Sequence, residues 1–229
     1  MKLPKNFRTY HSRKRRYKAH AVRPINNHIL MLHTLSYRER NEGINHPITV
    51  GILVADYRRS FCRENILYQL DRMDKKTGPL IDFYIPGYIK CPHYEKASSN
   101  QITFKTGKYR FSLRAYNSFL EYLEQKGINV SGRTQFLLVP YDGGHLWFKD
   151  ALVFDLEKDE ASGKIESAKL FFDFIIDISK KTTDFSEFQK RIKLGRIGTI
   201  LIDFVKEQLP SSLWTLVTDP FSKLFKPEK

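Results

Sequence analysis

The strongest constraint in this sequence is a nearly continuous apolar run from Ile48 to Ala55, which lies between Pro47 and Asp56. The run is rich in β-branched residues, which favour extended backbone. Because polar and apolar residues do not alternate in it, a strand formed here has to be covered on both faces. The run therefore predicts a central strand, and the chain is expected to be an α/β protein of two or three layers with a mixed sheet.

Periodicity and turn residues predict the elements around this strand. Ser112 is expected to cap a helix that ends just before Gly127, and Asp142-Gly143-Gly144 favours an antiparallel hairpin. Residues 25–37 are expected to pack, and residues 38–47 to form a charged loop. After the first strand, the predicted elements are helix Phe61–Met73, strand Leu80–Ile85, a small hairpin between Ile102 and Phe111, helix Leu113–Leu123, strands Phe136–Val139 and Leu146–Leu156, helix Ile165–Ile178 and a short helix from Asp184 to Ile192.

The ends of the chain differ in composition from its middle. Residues 1–24 hold nine Lys or Arg and no Asp or Glu, which predicts a basic, flexible arm. Residues 25–193 are expected to form a single α/β domain. Residues 194–229 are expected to add a C-terminal helix and an apolar tail, Leu213–Phe225, which docks on this chain or on a protein partner.

The predicted core order, β-α-β-α-β-β-α, resembles the thioredoxin-like fold over roughly Ile48 to Ile178. The resemblance implies a Cys-x-x-Cys motif where the first strand meets its helix, because a helix N-terminus stabilises a thiolate. This sequence has Cys62-Arg63-Glu64-Asn65 there, so the second cysteine is missing and dithiol chemistry is not expected. Cys62 is left with a monothiol role, assisted by Arg58, Arg59 and Arg63, or with the commoner role of a buried structural cysteine.

The carboxyl edge of the first strand is the predicted place for a ligand, because open α/β sheets bind ligands beyond the carboxyl ends of their strands. Asp56 ends the strand there, and it either lines a pocket or pairs with a neighbouring arginine. The residues predicted to line such a pocket are Asp56, Arg58, Arg59, Cys62, Tyr84 and Tyr88.

Other motifs give weaker signals. The sequence has no glycine-rich nucleotide loop, no Gly-x-Ser-x-Gly and no His-Glu-x-x-His, so no cofactor is expected. Cys91-Pro92-His93 offers two ligands where structural zinc takes four, so no metal is expected. His145 is interpreted as an exposed turn residue rather than a general base, and Asp155-Leu156-Glu157-Lys158 as a solvated strand end rather than a nuclease site.

A net charge of +14 makes anionic partners attractive, with nucleic acid first and acidic proteins second. Phosphate contacts are expected from Arg13, Lys14, Arg15, Arg16, Lys18, Arg23, Lys190, Arg191, Lys193 and Arg196, with Tyr10 and Tyr17 available for stacking on bases. Two cysteines and the lack of an apolar leader favour the cytoplasm, and no apolar stretch has the length that a membrane span needs.

The favoured function is therefore a basic intracellular protein that binds nucleic acid or another polyanion, as an accessory subunit of a larger system. The alternative is an effector enzyme with its site near Asp56. The segments Leu80–Tyr88 and Val130–Gly132 resemble stretches of small bacterial α/β proteins, some of them associated with genome defence. This resemblance implies an accessory or effector role in antiviral defence.

Overall fold

The protein is a mixed α/β fold. A computed structural model describes residues 22–42, 48–77, 81–92, 100–104, 107–182 and 184–192. The described strands are β1 (Val22–Ile25), β2 (Thr49–Val54), β3 (Ile81–Pro86), β4 (Tyr88–Lys90), β5 (Gln101–Phe104), β6 (Gly107–Phe111), β7 (Gln135–Asp142), β8 (His145–Leu146) and β9 (Leu152–Asp155). The described helices are α1 (His28–Glu42), α2 (Leu70–Lys76), α3 (Leu113–Gln125), α4 (Leu156–Ala161), α5 (Ala168–Lys181) and α6 (185–192).

The main sheet contains both parallel and antiparallel pairs. β3 lies between β1 and β2 and runs parallel to both of them, whereas β7 pairs antiparallel with the other side of β2. β8 and β9 in turn pair antiparallel with β7. Every residue of β2 is buried. The predicted central strand and the predicted mixed sheet are therefore confirmed.

Helices cover both faces of this sheet. Asp82 and Phe83 are consecutive residues of β3, so their side chains point to opposite faces. The Asp82 carboxylate accepts a hydrogen bond from Arg38 of α1. On the other face, the Phe83 ring meets the edge of the Phe172 ring of α5, with 6.4 Å between the ring centroids. Helices α1 and α5 therefore lie on opposite faces.

Helices α2 and α3 lie on the same two faces of the sheet. The rings of His28, at the start of α1, and Tyr122 of α3 are stacked with centroids 4.1 Å apart. On the opposite face, Arg72 of α2 pairs with Asp173 of α5. The fold therefore has three layers, with the main sheet in the middle.

Phenylalanine rings fill the α5 side of the sheet and explain a glycine in the central strand. The Phe136 ring of β7 lies 5.7 Å from that of Phe83 and 5.2 Å from that of Phe172, centroid to centroid. A Cβ atom on Gly51 would lie 2.7 Å from the Phe83 ring and 2.8 Å from the Phe136 ring. Only glycine therefore fits between these rings without displacing them.

A second, three-stranded antiparallel sheet with the order β4-β6-β5 follows β3. The chain turns into it at Gly87, whose φ of +90° is accessible to glycine and strained for other residues. A Cβ atom there would also lie 2.8 Å from the Cβ atom of Tyr116. The predicted hairpin between Ile102 and Phe111 forms the β5-β6 part of this sheet.

The connection between β2 and β3 is an irregular helix. After a first helical step at residues 60–61, it has a π-helical turn at Cys62–Ile66, a 3-10 turn at Leu67–Gln69 and then α2. Single π-helical turns are rare and occur often at functional sites. This helix begins near the carboxyl end of β2, and it carries Cys62, Arg63 and Tyr68, which are discussed below.

Two predicted helix caps are present. The Oγ of Ser112 accepts a hydrogen bond of 3.3 Å from the backbone N–H of Ala115 at the start of α3. Asp184 does the same for α6, where its Oδ1 accepts a hydrogen bond of 2.8 Å from the backbone N–H of Glu187. Local sequence therefore specifies where both helices begin.

Several boundaries differ from the predictions. The predicted helix Ile165–Ile178 is α5, which begins at Ala168 and ends at Lys181. α1 runs to Glu42, so the first residues of the predicted loop 38–47 are helical. The predicted strand Leu146–Leu156 is broken by a 3-10 turn at Phe148–Asp150 and ends where α4 begins. β1 starts at Val22, inside the predicted arm 1–24. The rest of that arm and residues 194–229 lie outside the described residues.

Candidate functional site

The candidate site is built around Asp56, two residues beyond the end of β2. Its side chain is almost buried, with 8% of the residue exposed. Oδ1 accepts hydrogen bonds from the backbone N–H of Arg58 (2.9 Å) and from its Nε (3.0 Å), and Oδ2 accepts one from its Nη2 (2.6 Å). Burial by itself raises the pKa of this carboxyl group, but the hydrogen bonds and charge of Arg58 outweigh it and lower the pKa. Asp56 is therefore an ionised carboxylate with a bound guanidinium.

Arg59 forms a second bidentate pair, with a carboxylate that lies 98 residues later in the sequence. Its Nε and Nη2 donate to Oε2 (3.0 Å) and Oε1 (2.6 Å) of Glu157 in α4. The hydrogen bond from Arg59 is the main reason that the pKa of Glu157 is lowered, and a hydrogen bond of 3.3 Å from the Thr134 backbone N–H adds to the effect. Both arginines that follow Asp56 are therefore matched by carboxylates.

Cys62 lies in the π-helical turn behind these pairs and is fully buried. Burial, and next the negative charge of Asp56, raise the pKa of its thiol from an ordinary 9.0 to about 12. The thiol is therefore protonated at neutral pH. Since the thiolate is the nucleophile, this favours the interpretation of Cys62 as a structural cysteine.

Two buried tyrosines complete the group. The hydroxyl of Tyr88 donates a hydrogen bond of 3.4 Å to the carbonyl oxygen of Ala55, and Tyr116 packs beside it through the Phe111 ring. Burial is the first cause of the raised pKa of both hydroxyls, and the charge of Asp56 adds to it. We call this group the Asp56 cluster; its members are Asp56, Arg58, Arg59, Cys62, Tyr88, Tyr116 and Glu157.

Tyr84 was predicted to belong to the same pocket, but it lies in a different buried group. Its hydroxyl donates a hydrogen bond of 3.3 Å to Oδ2 of Asp82, and Nε of Arg23 lies 3.7 Å from the same oxygen. The other carboxylate oxygen, Oδ1, accepts a hydrogen bond from Nη1 of Arg38. Asp82 is fully buried and Arg38 is 3% exposed. We call these four residues the Asp82 network. Because Arg23 is part of it, this arginine faces a carboxylate of its own chain.

A groove runs beside the Asp56 cluster, between the irregular helix and β5. It encloses about 290 Å³. Its lining consists of Tyr57, Arg63, Leu67, Tyr68, Leu70, Asp71, Gln101, Ile102 and Thr103. The predicted pocket residues Asp56, Arg58, Arg59, Cys62 and Tyr88 do not line it, so the cluster borders this groove without opening into it.

The predicted phosphate-binding residues divide into described and undescribed ones. Lys190 is exposed on α6, and Arg191 pairs with Glu187 through hydrogen bonds of 3.0 and 2.6 Å. Arg23 belongs to the Asp82 network. The other predicted contacts lie outside the described residues, and so does the tail Leu213–Phe225; these contacts are Arg13, Lys14, Arg15, Arg16, Lys18, Lys193 and Arg196.

The residues that gave weaker functional signals in the sequence lie at exposed, buried or helix-capping positions. His145 is exposed at the hairpin after β7, and Cys91 is buried. Asp155 caps α4 through the backbone N–H of Lys158 (3.0 Å) and pairs with Nε of Arg133 (2.6 Å). Within the described part of the chain, no three His, Cys, Asp or Glu side chains come together as a metal site, and no helix is long and apolar enough to cross a membrane.

Comparisons of the chain with protein-family models, with curated protein sequences and with solved structures gave no match. Three features of the site were not predicted from the sequence: the pairing of Glu157 with Arg59, the position of Tyr116, and the groove. Only Glu157 had a local signal, the acidic stretch at the end of β9, and nothing in that stretch indicates a partner 98 residues away.

Proposed function

We propose that this protein binds a polyanion, with nucleic acid as the first choice, through a positive charge excess that lies in the leading part of the chain. The observation that carries the proposal is how the charge is divided. The described residues contain 23 Lys or Arg and 20 Asp or Glu, so this part of the chain has a net charge of only +3. Residues 1–21 contain eight Lys or Arg and no Asp or Glu.

Several carboxylates of the described residues are paired with arginines of the same chain. Asp82, Glu157 and Asp173 each hold an arginine at hydrogen-bond distance, and so does Asp155. The described residues hold three more cations than carboxylates, so they offer no net negative charge to neutralise the eight cations of residues 1–21. An external anion is the natural counterpart, because contacts of Lys and Arg with phosphates release condensed counterions and drive sequence-tolerant binding.

The test is the salt dependence of binding by the full chain, measured by fluorescence anisotropy with a labelled single-stranded oligonucleotide. Replacing Arg13, Lys14, Arg15 and Arg16 together with Gln removes up to four phosphate contacts. Each contact contributes about 0.7 to the slope of log K against log salt for single strands, so the slope is expected to fall by about 3.

A matched control removes the same charge from the domain surface, through Lys75→Gln, Lys158→Gln, Lys169→Gln and Lys181→Gln, all at exposed positions. The control is expected to keep most of the wild-type slope. Equal losses in both variants would mean that only the overall charge matters and would contradict a binding segment. The absence of oligonucleotide binding at low salt would contradict the proposal as a whole.

A second candidate is an effector enzyme with its site at the Asp56 cluster. The observation that favours it is the meeting of a buried carboxylate, two buried hydroxyls and two arginines at the carboxyl end of β2, behind a π-helical turn. The test is Asp56→Asn, compared with Asp177→Asn as a surface control, in an assay of the system in which the protein operates. Loss of activity in the first variant alone, with unchanged oligonucleotide binding, is the expected result for an enzyme.

We also propose that the core is thioredoxin-like. Support comes from the sheet order β3-β2-β7-β9, in which β2 and β3 are parallel and β7 and β9 follow as antiparallel neighbours. The irregular helix and α3 then lie on opposite faces as the connections. In this comparison Cys62 occupies the place of the attacking thiol, and its burial and raised pKa argue against a redox role for it.

A further inference from the structure

The groove beside the irregular helix combines aromatic, cationic and acidic groups. The apolar part of its lining comes from Leu67, Leu70 and Ile102, and two tyrosines, Tyr57 and Tyr68, line it as well. A volume of about 290 Å³ suits one flat heterocycle with part of its sugar rather than a folded element. The groove therefore has the size and the lining of a site for a small planar group.

Tyr68 is the most exposed of the groove's aromatic residues. With 66% of its surface accessible, its ring faces solvent instead of the core. No other described residue forms a hydrogen bond with its hydroxyl or a ring contact with its side chain. Exposed aromatic rings next to cations are the stacking platforms of proteins that bind single-stranded nucleic acid, because every base has a π face.

Tyr57 and Arg63 form a fixed unit beside it. The Tyr57 ring lies 6.5 Å from that of Phe111, and the guanidinium of Arg63 lies 6.0 Å from the Tyr57 centroid. Nη1 of Arg63 donates to the carbonyl oxygens of Tyr57 (3.0 Å) and Arg58 (2.7 Å), which holds the side chain in place. Nε and Nη2 have no acceptor among the described residues, so both can donate to a phosphate at the groove's rim.

Asp71 distinguishes a base from a free anion as the occupant. Its carboxylate lines the groove and is bound by none of the described cations. A negative group at this position repels an isolated phosphate or carboxylate, whereas it accepts hydrogen bonds from the N–H groups on the edge of a base. Arg63 in the π-helical turn and Asp71 in α2 both line the groove, eight residues apart along the same irregular helix, and this separation of opposite charges matches a nucleotide whose phosphate and base edge lie apart.

We propose that this groove holds an unpaired base of single-stranded nucleic acid, with Tyr68 stacked on the base and Arg63 on a neighbouring phosphate. The inference rests on the proposed function and names its substrate class. Single strands are favoured over duplexes because the bases of a duplex are stacked on each other and are not free to enter a groove.

The test compares two ligands of equal charge, a labelled oligothymidylate and an abasic deoxyribose-phosphate strand of the same length. The full chain is expected to bind the oligothymidylate more tightly, because only this strand has bases. Tyr68→Ala is expected to weaken oligothymidylate binding by about fivefold or more, the lower range for one stacked base. It is expected to leave abasic binding unchanged, whereas Tyr68→Phe keeps the ring and retains the preference.

Tyr37→Ala serves as the control, because Tyr37 is a similarly exposed tyrosine on α1 that does not line the groove. Circular dichroism verifies that each variant is folded. Equal affinities of the wild type for the two strands, or a preference that survives Tyr68→Ala, would overturn the base-binding groove and leave it to a different occupant such as a peptide. Failure of the abasic strand to bind at low salt would instead count against the proposed polyanion binding, so the two failures are distinct.

Discussion

The Asp82 network offers the sharpest test of how this fold is held together. Asp82 is fully buried in the central part of the sheet, and its carboxylate is shared by Arg38, Tyr84 and Arg23. Arg38 reaches it from α1, so the pair fastens that helix to β3. We consider the variant Asp82→Asn, which preserves the shape of the side chain and removes its charge.

Removing one partner of a buried ion pair leaves the other charge buried without compensation, at a cost of about 3–5 kcal/mol. The lower end applies here, because the asparagine oxygen still accepts a hydrogen bond from Arg38 and because Arg23 is partly exposed. A loss of about 3 kcal/mol is a large part of the total stability of an ordinary domain. The double variant Arg38→Met, Asp82→Asn removes the stranded cation as well, and we expect it to be more stable than Asp82→Asn by about 1 kcal/mol or more.

The assay is urea unfolding at neutral pH, followed by circular dichroism for the wild type, the two single variants and the double variant, with equal m-values as the condition for comparison. The recovery of stability by the second substitution is the decisive sign. If the free-energy losses of the two single variants simply add in the double variant, or if Asp82→Asn costs less than about 1 kcal/mol, the charge of Asp82 does not hold α1 in place and our reasoning is wrong.

Three further predictions concern single side chains. Gly51→Ala is expected to cost about 1–3 kcal/mol in urea unfolding, because its Cβ would overlap the rings of Phe83 and Phe136; a loss below about 0.5 kcal/mol would show that the rings move aside. Ser112→Ala is expected to cost about 1 kcal/mol through the lost cap of α3, and no change would mean that the cap is dispensable. Cys62 stabilises the fold as a neutral thiol, so its contribution is complete below pH 9.0 and is lost as the pH rises towards about 12. The stability difference between wild type and Cys62→Ala should therefore shrink over that range, by about 1.4 kcal/mol per pH unit at most, and a constant difference would contradict the raised pKa.

Elements with a local and regular signal could be predicted from the sequence. β2 is a continuous apolar run, and all of its residues are buried. α3 combines a serine cap with an apolar stripe on one face, which buries Tyr116, Phe119 and Leu123. In both cases the local preference and the tertiary surroundings agree, which is the condition under which sequence patterns are informative.

α1 could not be predicted in full because its buried face is not purely apolar. Met31, Leu35 and Arg38 recur at helical spacing, and all three are buried. An arginine at the third of these positions reads as the start of a charged loop unless Asp82, 44 residues further on, is known to face it. Long-range charge pairing therefore concealed the C-terminal half of this helix.

The prediction for the pocket residues was correct where contacts are local and wrong where they depend on the strand. Asp56 and Arg58 are two residues apart, and a turn at the end of β2 brings them together, as the sequence indicated. Tyr84 lies in the Asp82 network because residues 82 and 84 of a strand point to the same face of the sheet. The alternation of side chains along β3 therefore predicts the neighbours of Tyr84 better than its closeness to the carboxyl end of the strand does.

The two functions considered for this chain depend on the same question, namely which cations lack a carboxylate. Arg58, Arg59 and Arg63 surround Cys62 in the sequence and would lower the pKa of its thiol if they were unpaired. In the structure Asp56 and Glu157 hold the first two at hydrogen-bond distance, the thiol is buried, and its pKa rises instead. Pairing inside the domain thus removes the basis for thiol chemistry. The described residues also hold no excess of carboxylates over cations, so they offer no net negative charge to the eight cations of residues 1–21. For this reason we favour the polyanion proposal over the enzyme proposal.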